Sequence, residues 1–212
     1  MAYGRATYLY TRFERFWHWA QTLLVVLLGL TGFELHGSLS LFGFEQAHTV
    51  HIYSGWAWLI LYAFIVFWLL TTGEWKQFSP TYKKLLEVMW FYAYGIFAGK
   101  PHPVPKTKGA KHNPLQRLTY LGVVSFLVPF QLITGFLAYT YNSWPAMGWD
   151  WSLQTMALLH TAGGFAFIIF TIIHVYMVTT GHTVGAHTKA MITGWEEVPE
   201  SEGVAGWETR SR

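Results

Sequence analysis

The most constraining feature of this sequence is an uncharged stretch that is long enough to cross a membrane and yet contains two histidines. Residues 153–181 contain no Asp, Glu, Lys or Arg, and at about 1.5 Å of rise per residue they can span the hydrocarbon core of a bilayer. His160 and His174 fall within roughly 40° of one helical face and about 21 Å apart along the helix axis. Imidazole is costly to bury in hydrocarbon without a partner. Two such residues on one face therefore require two partners.

The composition is that of a membrane protein, and it excludes several kinds of redox centre. Hydrophobic residues make up 52% of the 212 residues and charged residues only 12%, as expected for a chain that lies largely in lipid. There is no cysteine, which excludes disulfides, cysteine-bound iron–sulfur clusters and thioether-linked haem. The net charge is only +3, and we expect no nucleic-acid partner.

Four hydrophobic spans predict an all-α integral membrane protein, a four-transmembrane-helix bundle. The spans cover about residues 16–35, 47–72, 115–141 and the stretch already described. Between helices 2 and 3 the sequence predicts an interfacial amphipathic helix, with Ser79 and Pro80 at its start and Gly99 at its end. We expect one transmembrane domain over residues 1–194 and a polar, loosely ordered cytoplasmic tail over 195–212.

The basic residues predict the orientation of these helices. None of the 14 Lys and Arg residues falls in the short connections 37–46 and 142–151. They lie instead before the first span, after the last one, and in or next to the long connection 73–113, where the plain interpretation of residues 100–114 is a basic surface loop. By the positive-inside rule both termini and this connection are cytoplasmic. The predicted location is therefore the bacterial cytoplasmic (inner) membrane.

With this orientation, four histidines fall at two depths. His18 and His174 lie near the cytoplasm and form the inner pair, whereas His51 and His160 lie near the outside and form the outer pair. Facing imidazoles in a helix bundle can bind a haem iron from both sides, so the sequence predicts two bis-histidine b-type haems. A zinc site would gather its ligands at one depth, and a proton relay would be expected to include carboxylates.

Two short internal echoes indicate related helix pairs. The first span contains Leu-Thr-Gly-Phe at residues 30–33, and the third contains Ile-Thr-Gly-Phe at 133–136. His51 and His160 are each followed four residues later by glycine and then by aromatic-Ala-aromatic. A glycine one turn from an imidazole leaves room for a flat group against the backbone.

Several assignments stay open at this stage. His48 lies one turn before His51 and is the alternative ligand on helix 2, although the echo favours His51. Arg12, Arg15 and Arg117 are predicted at the cytoplasmic mouth, where they can pair with haem propionates or with lipid phosphates. His182 either neighbours a quinone or caps the last span.

These residues resemble a known family, the di-haem cytochrome b membrane subunits of nickel–iron hydrogenase, formate dehydrogenase (gamma subunit) and thiosulfate reductase. The similarity covers nearly the whole chain. The matching segments are Arg15-Phe16-Trp17-His18-Trp19, the helix-2 ligand position His51, the run from His160 to His174-Val175-Tyr176, and Asn113-Pro114-Leu115-Gln116-Arg117. The closing segments Thr180–Thr183 and Lys189–Gly194 are most similar to thiosulfate-reductase-type members.

The resemblance implies a membrane electron-transfer subunit of a quinone-linked oxidoreductase complex. Its partner would be a periplasmic catalytic or iron–sulfur subunit or a multihaem cytochrome c. Menaquinone or ubiquinone would bind near His174, Asn113, Gln116 and His182. The alternative is a stand-alone di-haem cytochrome b that oxidises superoxide and reduces quinone. Capture of that anion would profit from a positive outer surface, and the outer connections contain no Lys or Arg.

Overall fold

The computed structural model describes residues 3–104 and 110–199, and its elements follow the predicted order. In chain order they are β1 (Tyr3–Tyr8), α1 (Arg12–Leu35), α2 (Phe44–Thr72), α3 (Leu85–Trp90), α4 (Pro114–Gly122), α5 (Val128–Tyr139), α6 (Leu153–Val178), α7 (Ala186–Thr193) and β2 (Trp195–Pro199). Short 3₁₀ turns occupy Glu74–Phe78, Tyr141–Ser143 and Pro145–Met147, and π-helical turns occupy Phe91–Gly95 and Val123–Leu127. The second π-helical turn joins α4 and α5 into one helix, Pro114–Tyr139.

The prediction of four membrane-spanning helices is confirmed. Within the described residues, α1, α2, the joined α4–α5 helix and α6 have the length and hydropathy to cross a bilayer. Each carries large apolar side chains that the rest of the chain does not cover, for example Leu23, Ile60, Phe126 and Ile169. Uncovered apolar side chains along all four helices suit contact with lipid rather than with water.

The chain divides into two compact units, and each long helix contributes residues to both. The bundle unit comprises residues 17–66 and 124–174, and the terminal unit comprises residues 1–16, 67–123 and 175–212 as far as they are described. All four histidines of the inner and outer pairs belong to the bundle unit.

Side chains near both ends of α1 form hydrogen bonds with backbone N–H groups. At its start, the Glu14 carboxylate accepts a hydrogen bond from the Thr11 backbone N–H at 2.7 Å, and the Thr11 hydroxyl faces the Glu14 N–H at 3.3 Å, which is a capping box. Near its end the buried Glu34 carboxylate accepts hydrogen bonds from three successive N–H groups of the connection to α2, those of Leu41, Phe42 and Gly43. This carboxylate holds the connection in place by satisfying backbone groups that would otherwise be unpaired.

The third spanning helix widens into a π turn just before Pro129. Proline has no backbone N–H and its ring would clash with the preceding helical turn, so a local change of helical hydrogen bonding is expected there. In a π turn the partner of the Val124 carbonyl would be the N–H of residue 129, which proline lacks. The Tyr62 hydroxyl of α2 donates a hydrogen bond to that carbonyl at 2.9 Å.

The interfacial helix is present, but it begins later than the sequence predicted. The sequence predicted a start at Ser79 and Pro80, whereas α3 begins at Leu85. Lys84 has a φ of 58°, a left-handed conformation through which a right-handed helix does not continue. The segment then packs Val88 against Val104 and Ala110 in the core of the terminal unit, and Gly99, with a φ of 65°, ends it as predicted.

The prediction of a loosely ordered tail from residue 195 is wrong for its first five residues. Residues Trp195–Pro199 form β2, which pairs antiparallel with β1. The rings of Tyr8 and Trp195 pack at a centroid distance of 5.3 Å. Gly194, with a φ of 89°, approaches the Tyr10 carbonyl so closely that a Cβ would lie 2.7 Å from it. Residues 200–212, and the predicted cytoplasmic cations Lys106, Lys108, Arg210 and Arg212, lie outside the described residues.

We predict that Tyr62→Phe destabilises the bundle unit by about 1 kcal/mol, because it leaves the Val124 carbonyl without its donor. The measurement is the unfolding free energy of the purified protein in detergent micelles. The matched control is Tyr53→Phe, since the Tyr53 side chain is exposed on the same helix. Equal stability of the two variants would contradict the assigned role of the Tyr62 hydroxyl.

Candidate functional site

The outer pair brings one histidine from α2 and one from α6 together in the bundle unit. The ring centroids of His51 and His160 are 6.1 Å apart, and the ring planes are inclined by 81°. Each ring lies over a glycine of the Thr-Gly echo. A Cβ on Gly32 would lie 3.6 Å from His51 Cε1, and one on Gly135 would lie 2.9 Å from His160 Cε1.

The echoed segments also contact each other deeper in the bundle unit. Trp58 and Phe167 each lie seven residues after a histidine of the outer pair, and their rings pack at a centroid distance of 5.3 Å. Both side chains are buried. The two helix segments that begin at His51 and His160 therefore make two contacts between equivalent positions.

The threonines of the same echoes contact the outer histidines directly. Thr31 Oγ1 lies 2.9 Å from His51 Nδ1, and Thr134 Oγ1 lies 3.1 Å from His160 Nδ1. Both threonines are buried. The sequence interpretation used only the glycines of these motifs, although a hydroxyl next to each glycine was the signal that could have identified these contacts.

A glutamine that sequence reasoning missed contacts the other ring nitrogen of His160. Gln131 Nε2 lies 3.3 Å from His160 Nε2, and Gly163 gives the Gln131 side chain room, because a Cβ there would collide with Gln131 Oε1. Gln131 Oε1 is buried and has no hydrogen-bond partner among the described residues. The surroundings of His160 are therefore polar as well as buried.

The inner pair brings α1 and α6 together in the same unit. The ring centroids of His18 and His174 are 6.2 Å apart, and the ring planes are inclined by 46°. Phe170 stacks on His174 at 5.7 Å, and Trp19 meets His18 edge-on at 5.1 Å. His18 Nδ1 is buried and has no hydrogen-bond partner in the described part of the chain.

Both separations suit two imidazoles that share one metal ion. A metal–imidazole nitrogen bond is about 2.0 Å long and ring bonds are about 1.3 Å long, so the centroids of two rings on opposite sides of one ion lie about 6 Å apart. The two pairs therefore fit an iron held between facing rings. Among the residues that the structure describes, no group of three or more His, Asp or Glu side chains is placed to hold a metal ion.

His48 does not join either pair. Its side chain is exposed, and its ring stacks on Phe44 at a centroid distance of 6.5 Å. His51, one turn later, is the helix-2 histidine that faces His160. The geometry therefore favours the same residue that the sequence echo favoured.

Asn113 and Gln116, predicted to lie near a quinone, form the capping box of α4. Gln116 N donates to Asn113 Oδ1 at 2.9 Å, and Asn113 N donates to Gln116 Oε1 at 3.0 Å, with Pro114 in the first turn. The signal was the pattern Asn-Pro-x-Gln, which is typical of a helix start. The Asn113 amide also donates to the Tyr92 hydroxyl at 3.2 Å. Burial raises the pKa of Tyr92 to about 12.

The predicted residues Arg15, Arg117 and His182 all have partners within the terminal unit. Arg15 donates from Nη1 to the Ile192 carbonyl near the end of α7. Arg117 is buried and donates from Nε to the His112 carbonyl at 3.1 Å. His182 Nε2 lies 3.6 Å from a Glu197 carboxylate oxygen. These contacts give each side chain a structural role, and its role at a haem or a quinone stays a prediction.

Lys111 was predicted in a basic surface loop, but it is buried. Its ammonium lies 2.7 Å from a Glu14 carboxylate oxygen and 3.9 Å from one of Glu74. A buried cation needs such carboxylates because burial removes its water. The prediction was wrong for this residue because the sequence does not show that residue 111 returns to the start of α1.

The comparisons with known proteins place this chain among prokaryotic cytochromes. The family model described as "Prokaryotic cytochrome b561" matches residues 9–194. The chain is 31% identical over 211 residues to "Putative cytochrome YdhU" of Escherichia coli (strain K12), covering 91% of this chain and 76% of that protein.

More distant similarity extends to proteins named for a hydrogenase. The "Probable Ni/Fe-hydrogenase B-type cytochrome subunit" of Azotobacter chroococcum mcd 1 is 26% identical over 219 residues, covering 90% of this chain and 88% of that protein. The protein with the same name from Azotobacter vinelandii is 25% identical, with the same coverage. No solved structure matches the chain.

We predict that Gly135→Ala lowers the haem content of the purified protein, whereas Gly32→Ala leaves it unchanged. The added methyl group would lie 2.9 Å from the His160 ring in the first variant and 3.6 Å from the His51 ring in the second. Alanine favours a helix over glycine, so loss of haem in the first variant alone would be steric in origin. Haem is measured by absorption after extraction into pyridine. Equal haem content in both variants would contradict the close approach of His160 to α5.

Proposed function

We propose that this chain, which belongs to the prokaryotic cytochrome b561 family, relays electrons across the membrane through two b-type haems. In this proposal a partner at the outer face exchanges electrons with the outer haem. The inner haem exchanges electrons with the quinone pool at the cytoplasmic side. Both termini lie in the cytoplasm.

Membership in the family establishes the general character of the chain. It is a b-type cytochrome of electron transport, integral to a bacterial inner membrane, and haem b is the cofactor that the family implies. The two haem sites, the quinone and the partner are the finer parts of the proposal.

The observation that carries the proposal is the presence of two separate pairs of facing imidazoles in one unit. The inner pair would hold one haem and the outer pair the other, each through two ring nitrogens. When bound, haem supplies one-electron redox chemistry. The chain's own contribution is to aim the rings, to exclude water with buried residues such as Trp58 and Phe167, and to keep the two sites about 21 Å apart along α6.

The proposed outer partner is a periplasmic oxidoreductase subunit or a multihaem cytochrome. Support comes from the relatives named as hydrogenase cytochrome subunits. It also comes from the connection between α5 and α6, which exposes Trp149 and Trp151, stacked at 5.3 Å. Exposed aromatic side chains are enriched in protein interfaces. The absence of Lys and Arg from residues 37–46 and 142–151 disfavours the superoxide alternative.

The proposed quinone site comprises His174, Asn113, Gln116 and His182, and its support is the resemblance of residues 113–117 to the helix-3 entry of formate dehydrogenase gamma. Arg15 and Arg117 are proposed as partners of haem propionates or of lipid phosphates. The direct test is a reduced-minus-oxidised spectrum with a haem assay, for which we expect two b-type haems per chain. A preparation without haem would overturn the proposal.

We predict that His51→Ala loses one of the two haems and that His48→Ala keeps both. His51 faces His160, whereas the His48 side chain is exposed and stacked on Phe44. The measurement is haem per chain in detergent-purified protein. The reverse result would assign the helix-2 ligand to His48.

We predict that His174→Ala loses the inner haem and the reaction with quinol, while the outer haem remains. The remaining haem should still be reduced by dithionite, but it should no longer be reduced by a soluble quinol such as duroquinol. Retention of both haems and of wild-type quinol reactivity would refute the assigned inner pair.

A further inference from the structure

The outer pair differs from the inner pair in what its ring nitrogens contact. Both outer rings meet a buried threonine hydroxyl at Nδ1, at 2.9 Å for His51 and 3.1 Å for His160. In the inner pair, the buried His18 Nδ1 has no hydrogen-bond partner within the described residues. The two threonines come from equivalent positions of the internal echo, Thr31 and Thr134.

The direction of the hydrogen bond to His51 follows from the other contact of Thr31. Thr31 Oγ1 lies 2.6 Å from the Leu27 carbonyl, and a carbonyl only accepts. The single hydroxyl hydrogen is therefore used in that bond, and the hydroxyl oxygen accepts from His51 Nδ1–H. A neutral imidazole has only one N–H, so its Nε2 carries the lone pair that can bind a metal.

The same logic applies to His160, with a second and independent contact. The Thr134 hydroxyl donates to the Phe130 carbonyl at 2.8 Å, so its oxygen accepts from His160 Nδ1–H. The Gln131 amide nitrogen, which only donates, lies 3.3 Å from His160 Nε2. Nε2 is therefore the acceptor nitrogen of this ring, which agrees with a proton on Nδ1, and the lone pair that accepts from Gln131 here is the one that would bind iron.

We propose that Thr31 and Thr134 are positioning residues of the outer haem site, which hold His51 and His160 as Nδ1–H tautomers and strengthen both as electron donors to iron. The proposal rests on the two-haem function proposed above. A hydrogen-bonded N–H makes the opposite ring nitrogen more basic, and a more basic ligand stabilises ferric over ferrous iron. The pair of threonines therefore lowers the midpoint potential of the outer haem.

The test uses Thr31→Val, Thr134→Val and the corresponding serine variants in the full-length, haem-loaded protein. Valine has nearly the shape of threonine without the hydroxyl, and serine keeps the hydroxyl. Midpoint potentials come from a potentiometric titration monitored in the haem absorption bands, and the symmetry of the low-spin ferric signal comes from electron paramagnetic resonance. The same titration of the His174→Ala protein, which is predicted to retain only the outer haem, identifies the component that belongs to that haem.

We expect each valine variant to raise the midpoint potential of the same single component, the outer haem, with the inner component unchanged. Each serine variant should restore the wild-type value. The matched control is Thr71→Val on α2, because the exposed Thr71 hydroxyl donates to the Phe67 carbonyl and lies twenty residues along the helix from His51. This control should leave both potentials at wild-type values.

Every other outcome has a defined meaning. Wild-type potentials and spectra in both valine variants would overturn the proposal. Loss of the outer haem in a valine variant but not in the serine variant would support it, because serine keeps the hydroxyl that valine lacks. Loss in both would overturn it, because packing of the threonine methyl would then be the cause.

Failure of this proposal is distinguishable from failure of the proposed function. If the wild-type protein binds two haems and the threonine variants change nothing, only the role of Thr31 and Thr134 is refuted. If the wild-type protein binds fewer than two haems, the two-haem function itself is refuted.

Discussion

The structure depends on the pairing of imidazoles that the bilayer would otherwise make costly to bury. Four histidines lie on membrane-spanning helices, and the bundle unit brings them together as two pairs with ring centroids 6.2 and 6.1 Å apart. A shared metal ion would satisfy one ring nitrogen of each imidazole, and in the outer pair buried threonine hydroxyls contact the other nitrogen. Helix α6 supplies one histidine to each pair. Because both histidines have a facing partner, α6 can span the membrane despite containing them.

Much of this arrangement could be predicted because it follows from patterns along single helices. Hydropathy predicts the four spans, and helical periodicity places His160 and His174 on one face. The capping patterns at Thr11 and Asn113 were also present in the sequence, although the second was interpreted for function instead of helix initiation. Such features need no knowledge of which segments meet.

The features that could not be predicted are contacts between distant segments. The pairing of β1 with β2 joins the two ends of the chain, and the burial of Lys111 against Glu14 joins residues that are far apart in sequence. The late start of α3 depends on the left-handed conformation of Lys84, which has no sequence signal because lysine rarely adopts it. In each case tertiary packing overrides the local preference.

The internal echo has a consequence for the origin of the two sites. Thr31, His51 and Trp58 in one helical hairpin have the equivalents Thr134, His160 and Phe167 in the other, so two copies of a single ancestral hairpin, related by a twofold axis, would suffice to build the outer pair. The positions equivalent to His18 and His174 are Leu121 and Ile65. Two identical hairpins could therefore build the outer pair but not the inner one, because each histidine of the inner pair has an aliphatic counterpart in the other half.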